Sequence, residues 1–403
     1  MNPADPGRVI APADPGRVIA DAPGRIDEAA AAFLVRLPGA TRPRIARLLC
    51  RWSPSAAVGF LAEGNPVVAD VLRGCQGIDA LRRSWQPRCA SANLTAEAAA
   101  LEAARVGVWW VGQARWGAAF TDDPEPPAVL FFRGTLGVVD LPRVAIVGTR
   151  HATSQGREMA RLLGRQLADA GVAVVSGLAL GIDAAAHDGA IGSGRCGGNG
   201  RAIGVVGSGL DVIYPRQNAR LWSEVAETGL LLSESPLGRG PTPSAFPERN
   251  RIIAQLGTVL VVVESHAKGG SLITVDRSLE RGRRVLAVPG SPLSLASGGS
   301  NNLLRGSHDS RLAVPCLGAD DVLSLLDLDR TSASVYFDPR PEPTIDGTAI
   351  LALMGWESWP LGRLVPRSGL GVADVTLALA ELEAEGWVGR SSGHWHRLAT
   401  RPW

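Results

Sequence analysis

The chain has 403 residues, 45% hydrophobic and 20% charged, a composition that builds cores and excludes wholesale disorder. Lys plus Arg number 41 and Asp plus Glu 39, so the net charge of +2 names no partner by itself. Lys268 is the sole lysine, so any phosphate contact is made mostly by arginine forks. The length sets a prior of two or three domains.

Five cysteines (Cys50, Cys75, Cys89, Cys196 and Cys316) are odd in number and widely spaced, with no C-x-x-C. This argues against a disulfide framework or a zinc ribbon and reads as free thiols in a reducing cytoplasm. No run reaches the ~18–20 apolar residues of a membrane span. Pro and Asp occupy the N-terminus where a signal peptide needs an apolar stretch. The expectation is a soluble cytoplasmic protein without a membrane segment.

Residues 1–26 contain PADPGRVIA twice in tandem and a decayed third copy. The unit is too short and too rich in Pro and Gly for a solenoid and reads as a disordered tail. Residues 27–104 are Ala- and Arg-rich, with Leu and Val at helical spacing. Within them LPGATRPRIARLL (Leu37 to Leu49) is compatible with a helix-hairpin-helix, which either grips a DNA backbone or simply packs. Residues 106–132 are strand-like and aromatic, interrupted by Pro124, Pro126 and Pro127, and lead into the next domain.

From Arg143 apolar runs (RVAIVG, VAVVSG, AIGVVG, LLLSE, TVLVVVE, RVLAVP) alternate with helical segments. Such runs mean strands buried on both faces of a parallel sheet, and the helices between them supply crossovers. The fold class is α/β: a Rossmann-like, doubly wound, mostly parallel sheet over residues 105–326, including the lead-in strands. It follows an N-terminal helical (helix-hairpin-helix/SAM-like) domain. A Ser-, Asp- and Pro-rich linker covers 327–343. Residues 344–403 read as helix, turn, helix and a hairpin around Ser-Ser-Gly, a winged-helix-like domain.

Ligands of open parallel sheets sit beyond the carboxyl ends of the strands. There the sequence places Gly148-Thr149-Arg150, then Ser176-Gly177 leading to Asp183, then Gly207-Ser208-Gly209. A long loop ending Phe246-Pro247-Glu248-Arg249-Asn250-Arg251 follows, then Glu264 and Lys268-Gly269-Gly270-Ser271 opening a helix. Glycine lets amides approach an anion, and a helix N-terminus adds partial positive charge. Between Arg143 and Asp320 there are 18 Arg and Lys268 against 14 acids, so 19 − 14 = +5; Thr344–Trp403 has 5 Arg against 6 acids, so −1. The positive excess belongs to the α/β domain and suits a phosphate polymer.

Other phosphate and catalytic chemistries fit less well. Lys268 is followed by Gly, so there is no P-loop; Gly148-Thr149-Arg150 opens no dinucleotide fingerprint; no G-x-S-x-G elbow occurs. No cofactor is expected, and no metal: His394-x-His396 lies in the wing-like hairpin. Asp183 and His187, at i and i+4, read either as a catalytic pair or as a helix cap with a packed histidine. Phe246 reads either as a core plug or, beside Arg249 and Arg251, as a stacking face for a base. The second helix of the C-terminal unit carries Asp374, Glu381, Glu383 and Glu385 but no Arg, which repels a phosphate groove and points to a protein-contact or regulatory role.

The ordered segments VAIVGTR, SGLALGIDAAAH, GVVGSGLDVIYP, LLLSESPLG, FPERNRIIAQL, GGSLITVDRSLERGRRVLAVPGSP and GSNNLLRGS closely resemble the DNA-processing protein A (DprA/Smf) family of bacteria over Leu141 to Leu326. The resemblance implies a non-enzymatic homodimer that binds single-stranded DNA without sequence preference. It also implies delivery of the strand to the RecA recombinase in natural transformation or recombination. Carried onto this sequence, the pocket comprises Arg150, Ser176, Gly177, Gly207, Ser208, Gly209, Arg249, Asn250, Arg251 and Ser271, with Phe246 beside it; Lys268 joins them on charge. Two departures stand out: Gly197-Gly198-Asn199-Gly200 looks inserted, and Gly269 replaces the usual Ser. The alternative is a nucleotide-processing Rossmann enzyme of the nucleoside monophosphate phosphoribohydrolase kind, whose P-G-G-x-G-T-x-x-E run is absent.

Overall fold

The computed structural model describes residues 24–326 and 340–398, apart from 76, 121, 196–200, 307–312, 356 and 392. The tandem repeat, Cys196 with the Gly197–Gly200 segment, and most of the expected linker lie outside the described residues.

The N-terminal region is helical: α1 (Arg25–Leu34), α2 (Arg42–Leu49), α3 (Pro54–Ala62), α4 (Val67–Val71), α5 (Ile78–Ala90) and α6 (Leu94–Ala103). Helix α1 begins inside the stretch expected to be tail, because Asp27 and Glu28 favour its first turn and Ala29 to Ala32 and Leu34 are buried. The turn before α2 is a packing feature: the buried Trp85 of α5 donates its Nε1–H to the Pro38 carbonyl at 2.7 Å. Arg42 of the same hairpin faces Glu248 at 3.5 Å.

The large sheet contains β1 (Gly107–Trp110), β2 (Val129–Gly134), β3 (Arg143–Val147), β4 (Ala173–Ser176), β5 (Ala202–Val206), β6 (Leu230–Ser233), β7 (Val259–Val262), β8 (Arg284–Ala287) and β9 (Val314–Pro315). Their order is β1-β2-β6-β5-β4-β3-β7-β8-β9. Strands β3 to β9 pair in parallel, while β1 and β2 form an antiparallel extension at the β6 edge. The helices are α7 (Trp116–Phe120), α8 (Ser154–Asp169), α9 (Ile182–Arg195), α10 (Ala219–Thr228), α11 (Ala245–Leu256), α12 (Ser271–Glu280), α13 (Gly298–Leu304) and α14 (Ala319–Leu325).

Alternate residues of β3 enter different cores, as the two-residue period of a strand requires. Val144 and Ile146 pack with Leu163 of α8, Ala186 of α9 and Trp222 of α10. Ala145 and Val147 pack with Ile252, Ile253 and Leu256 of α11 and Val275 of α12. Helices α8 and α9 approach so closely that a Cβ at Gly164 would overlap the Ala186 backbone.

The chain runs from β3 outward to β4, β5 and β6, then returns to the other side of β3 as β7. The helices that follow β3 and β7, α8 and α12, therefore lie on opposite faces and leave a crevice at the carboxyl edge, where this class of sheet takes ligands.

The C-terminal unit has its own core, including Ile350, Trp359, Leu364, Leu379 and Val388. It is built from α15 (Ile345–Met354), β10 (Trp359–Pro360), α16 (Leu361–Ser368), α17 (Val372–Ala384), β11 (Val388–Ser391) and β12 (His394–Arg397). The strand order is β10-β12-β11, and β11 pairs with β12 antiparallel, as the expected hairpin requires; Ser392 of its turn lies outside the described residues. Arg340 anchors the entry to this unit: its guanidinium lies 3.7 Å from the Trp387 ring centre and donates to the Gly386 and Leu398 carbonyls.

Candidate functional site

The crevice between the β3 and β7 loops has a volume of about 680 Å³. A backbone bond from Thr149 N to Glu264 O (2.8 Å) ties the two loops together. The buried Glu264 carboxylate accepts from Thr153 N and Oγ1, which seats the start of α8. Exposed Arg150 and Lys268 bring charge to the rim, and Gly270 and Ser271 present the N-terminus of α12 to the same space. A helix N-terminus and flanking cations make an anion site.

Helix α11 supplies another wall. Phe246, Arg249, Asn250 and Ile253 stand at i, i+3, i+4 and i+7 and all line the crevice, the spacing that puts residues on one helix face. The helix expected from about Arg249 to Leu256 therefore begins earlier, at Ala245, and takes in Phe246 to Glu248. Pro247 sits in the first turn, where its missing N–H costs nothing.

A smaller cavity of about 50 Å³ adjoins the crevice beneath the β4 and β5 loops. Gly177, Gly207, Ser208 and Tyr214 line it, and it shares Arg150, Phe246 and Arg249 with the crevice. The Arg150 guanidinium carbon lies 5.0 Å from the Phe246 ring centre, a cation–π distance. Tyr214 meets Phe246 at 5.6 Å and is 41% exposed, so a partly open aromatic surface faces out beside the cation.

Beneath this surface Arg249 is buried, donating Nη1–H to the Val205 carbonyl and facing the Asp183 carboxylate at 4.0 Å. Burial pushes the Arg249 guanidinium down to about 10; Asp183 opposes that shift and Arg150 adds to it. Burial raises the Asp183 pKa, while Arg249 and the Gly177 amide, donating at 3.1 Å, oppose the rise. The pair forms a fixed polar floor to the site, with the Arg249 charge offset by Asp183. His187 does not join it: it is fully buried, and its Nε2 lies 3.2 Å from the Ile203 carbonyl. Burial pushes His187 down to about 4, so it is neutral, and the packed-histidine reading of this pair is the one the geometry fits.

Arg251 must be withdrawn from the site. Two residues along a helix is about 200°, so Arg251 points away from the face holding Arg249. It is 1% exposed and donates to Glu234 and the Glu125 carbonyl. Ser176 is also buried below the rim, its hydroxyl donating to Ile146 O at 2.6 Å. Ser208 spends its hydroxyl on Val212 O, and the Gly209 amide donates to Arg239 O. The Gly177 amide is likewise taken by Asp183. These hydroxyls and amides hold the loops, whereas Arg150, Lys268, Phe246 and Asn250 border the crevice, as does Ser271, whose hydroxyl donates to Ser265 Oγ at 2.8 Å.

Sequence reasoning missed Tyr214, whose signal was an aromatic next to proline shortly after Gly207-Ser208-Gly209. It also missed Asn218, whose Nδ2 donates to the Leu178 carbonyl at 2.8 Å. Leu178 holds a left-handed φ of +52° while fully buried, so this bond fixes a strained turn under the rim.

A family model described as DNA recombination-mediator protein A matches residues 107–326. A second, described as DprA winged helix domain, matches residues 338–394. The chain is 35% identical over 303 residues to Protein Smf of Synechocystis sp., covering 67% of this chain and 74% of that protein. It is 41% identical over 181 residues to DNA processing protein DprA of Streptococcus pneumoniae, covering 45% and 62%. The X-ray structure of DprA from Streptococcus pneumoniae superposes with a TM-score of 0.62 at 30% identity, covering 75% of this chain and 98% of that one.

Proposed function

This chain belongs to the DNA recombination-mediator protein A family, and from that premise we propose that its crevice binds single-stranded DNA without sequence preference. In this reading the protein acts as a homodimer that passes the strand to the RecA recombinase, in natural transformation or recombination. It binds and delivers; it performs no bond chemistry.

One observation carries the reading: Arg150, Lys268, the α12 N-terminus and the Phe246–Tyr214 surface border adjoining cavities at one sheet edge. Cations and amides hold phosphates, and a flat aromatic face stacks any base. Stacking needs an unpaired base, so the aromatic surface favours single strands over duplex. The exposed Leu293, Leu295 and Leu317, at 95%, 84% and 77%, follow β8 and its neighbour, the edge strand β9, and support an association surface for the second copy.

Polarisation of labelled single-stranded and duplex oligonucleotides across a salt series tests the binding claim. Tight single-strand binding that weakens steeply with salt is expected; equal affinity for duplex, or no salt slope, sinks it. For delivery, RecA should assemble faster on a strand preloaded with this protein; unchanged assembly contradicts that step.

A further inference from the structure

The winged-helix unit meets the α/β domain across a second cleft, of about 230 Å³. Arg157 and Arg161 of α8 and Arg220 of α10 line one wall, and Arg390 of β11 and His396 of β12 line the other. Glu158 and Asp188 face the same space, but both are engaged. Glu158 pairs with Arg161, and Asp188 with Arg161 at 3.1 Å and Arg220 at 3.8 Å. Arg220 also meets Glu224 at 3.5 Å, so four guanidinium groups against three carboxylates leave an excess of one positive charge. Arg157 on one wall and Arg390 on the other have no carboxylate partner among the described residues, and such like charges repel unless an anion lies between them. A direct bond across the boundary, Ser358 Oγ to Ser154 Oγ at 3.3 Å, is neutral and does not offset that repulsion.

The cleft shares no lining residue with the crevice, but bonded residues connect the two. Arg157 donates to the Ala152 carbonyl at 2.7 Å, next to His151 on the crevice wall. Asn218, two residues before Arg220, holds the carbonyls of Leu178 and Ala179, and Ala179 lines both cavities of the site. A basic track thus runs from Arg150 past Arg157 to Arg220 and the wing.

We propose that this cleft is a second nucleic-acid contact: the strand leaving the crevice passes its phosphates between α8–α10 and the β11–β12 hairpin. The proposal rests on the single-strand reading of the crevice. It departs from the role that the acidic helix α17 suggests, because the hairpin rather than that helix carries the positive charge. Stacking contributes little here; the contact is with the backbone, so it is blind to sequence.

The test uses the full chain and its R220E/R390E variant. Arg220 is 68% exposed by side chain and Arg390 is exposed, so the fold should survive, which thermal unfolding checks. Polarisation across salt is measured with thymidine oligomers of about 6 and about 30 nucleotides, one near the size of a single site and one much longer. The variant should bind the short oligomer within about twofold of the parent and the long one at least ~10-fold more weakly. Its salt slope on the long oligomer should be shallower by about 1.4, at 0.7 per lost phosphate contact. Parental affinity for both lengths overturns the proposal, and so does an equal loss at both. Inorganic phosphate bound by the parent alone, with the length effect intact in the variant, assigns the cleft to a free anion and overturns the strand. If the parent binds neither oligomer, the crevice reading itself has failed, and the proposal with it.

Discussion

The Arg249 guanidinium lies against Gly177 so closely that a Cβ there would overlap it. Gly177 stood out in the sequence as a way to bring an amide to a phosphate. Its amide instead serves Asp183, and its missing side chain makes room for the buried cation beneath the site. Gly177→Ala should therefore displace Arg249. Overpacking of this kind costs about 1–3 kcal/mol, read as a lower unfolding temperature. Single-strand affinity should fall by about 10-fold or more; a variant with parental affinity would separate Arg249 from binding.

Arg150→Ala removes an exposed charge, so stability should stay within about 0.5 kcal/mol. Binding should weaken by a similar factor on all sequences, and the salt slope should drop by about 0.7. A loss confined to one sequence would mean base readout rather than phosphate contact.

Arg251→Ala should do the reverse. Its guanidinium is buried against Glu234, whose side chain is 25% exposed. Leaving that carboxylate without its partner should cost about 1–3 kcal/mol, a reduced figure because solvent still reaches Glu234. Affinity per folded molecule should not change. Guanidinium chloride unfolding alongside polarisation separates the two effects.

The contrast between Arg249 and Arg251 shows what the sequence made legible. Alternating apolar runs and helical segments announced the parallel sheet and its carboxyl edge, because burial on both faces leaves a one-dimensional signature. The basic, glycine-rich loops located the edge that matters. The sequence starts helix α11 at about Arg249 rather than at Ala245, since Pro247 and a preceding run of prolines and serine resemble loop composition. Once that segment is helical, Arg249 and Arg251 must diverge. Tyr214 reaches Phe246 through tertiary folding alone, which no local pattern encodes.

Phe246→Ala should weaken single-strand binding by about 1–3 kcal/mol, roughly 5- to 150-fold, if a base stacks on the ring. Tyr214→Ala should produce a smaller loss in the same assay. Parental affinity in both would return Phe246 to the role of a core plug.

His187 makes stability depend on pH. In the fold it stays neutral down to about 4, whereas unfolded it gains a proton near 6.5. Between those values the unfolded chain binds more protons, so stability is full above about 6.5 and falls as the pH drops toward 4, by up to about 3 kcal/mol. Asp183, whose pKa burial raises, acts with the opposite sign. Comparison with His187→Gln isolates the histidine: the variant should lose less stability than the parent over that interval. Parallel curves would show that His187 does not titrate as its burial requires.

Photo-crosslinking of a bromouracil-substituted single strand, with the attached residues mapped by mass spectrometry, tests the central claim most directly. Attachment to Phe246 or Tyr214, lost when Arg150 is replaced by Ala, is the predicted result. Attachment confined to the N-terminal helices or to α17, with Phe246 and Tyr214 unmodified, would contradict it.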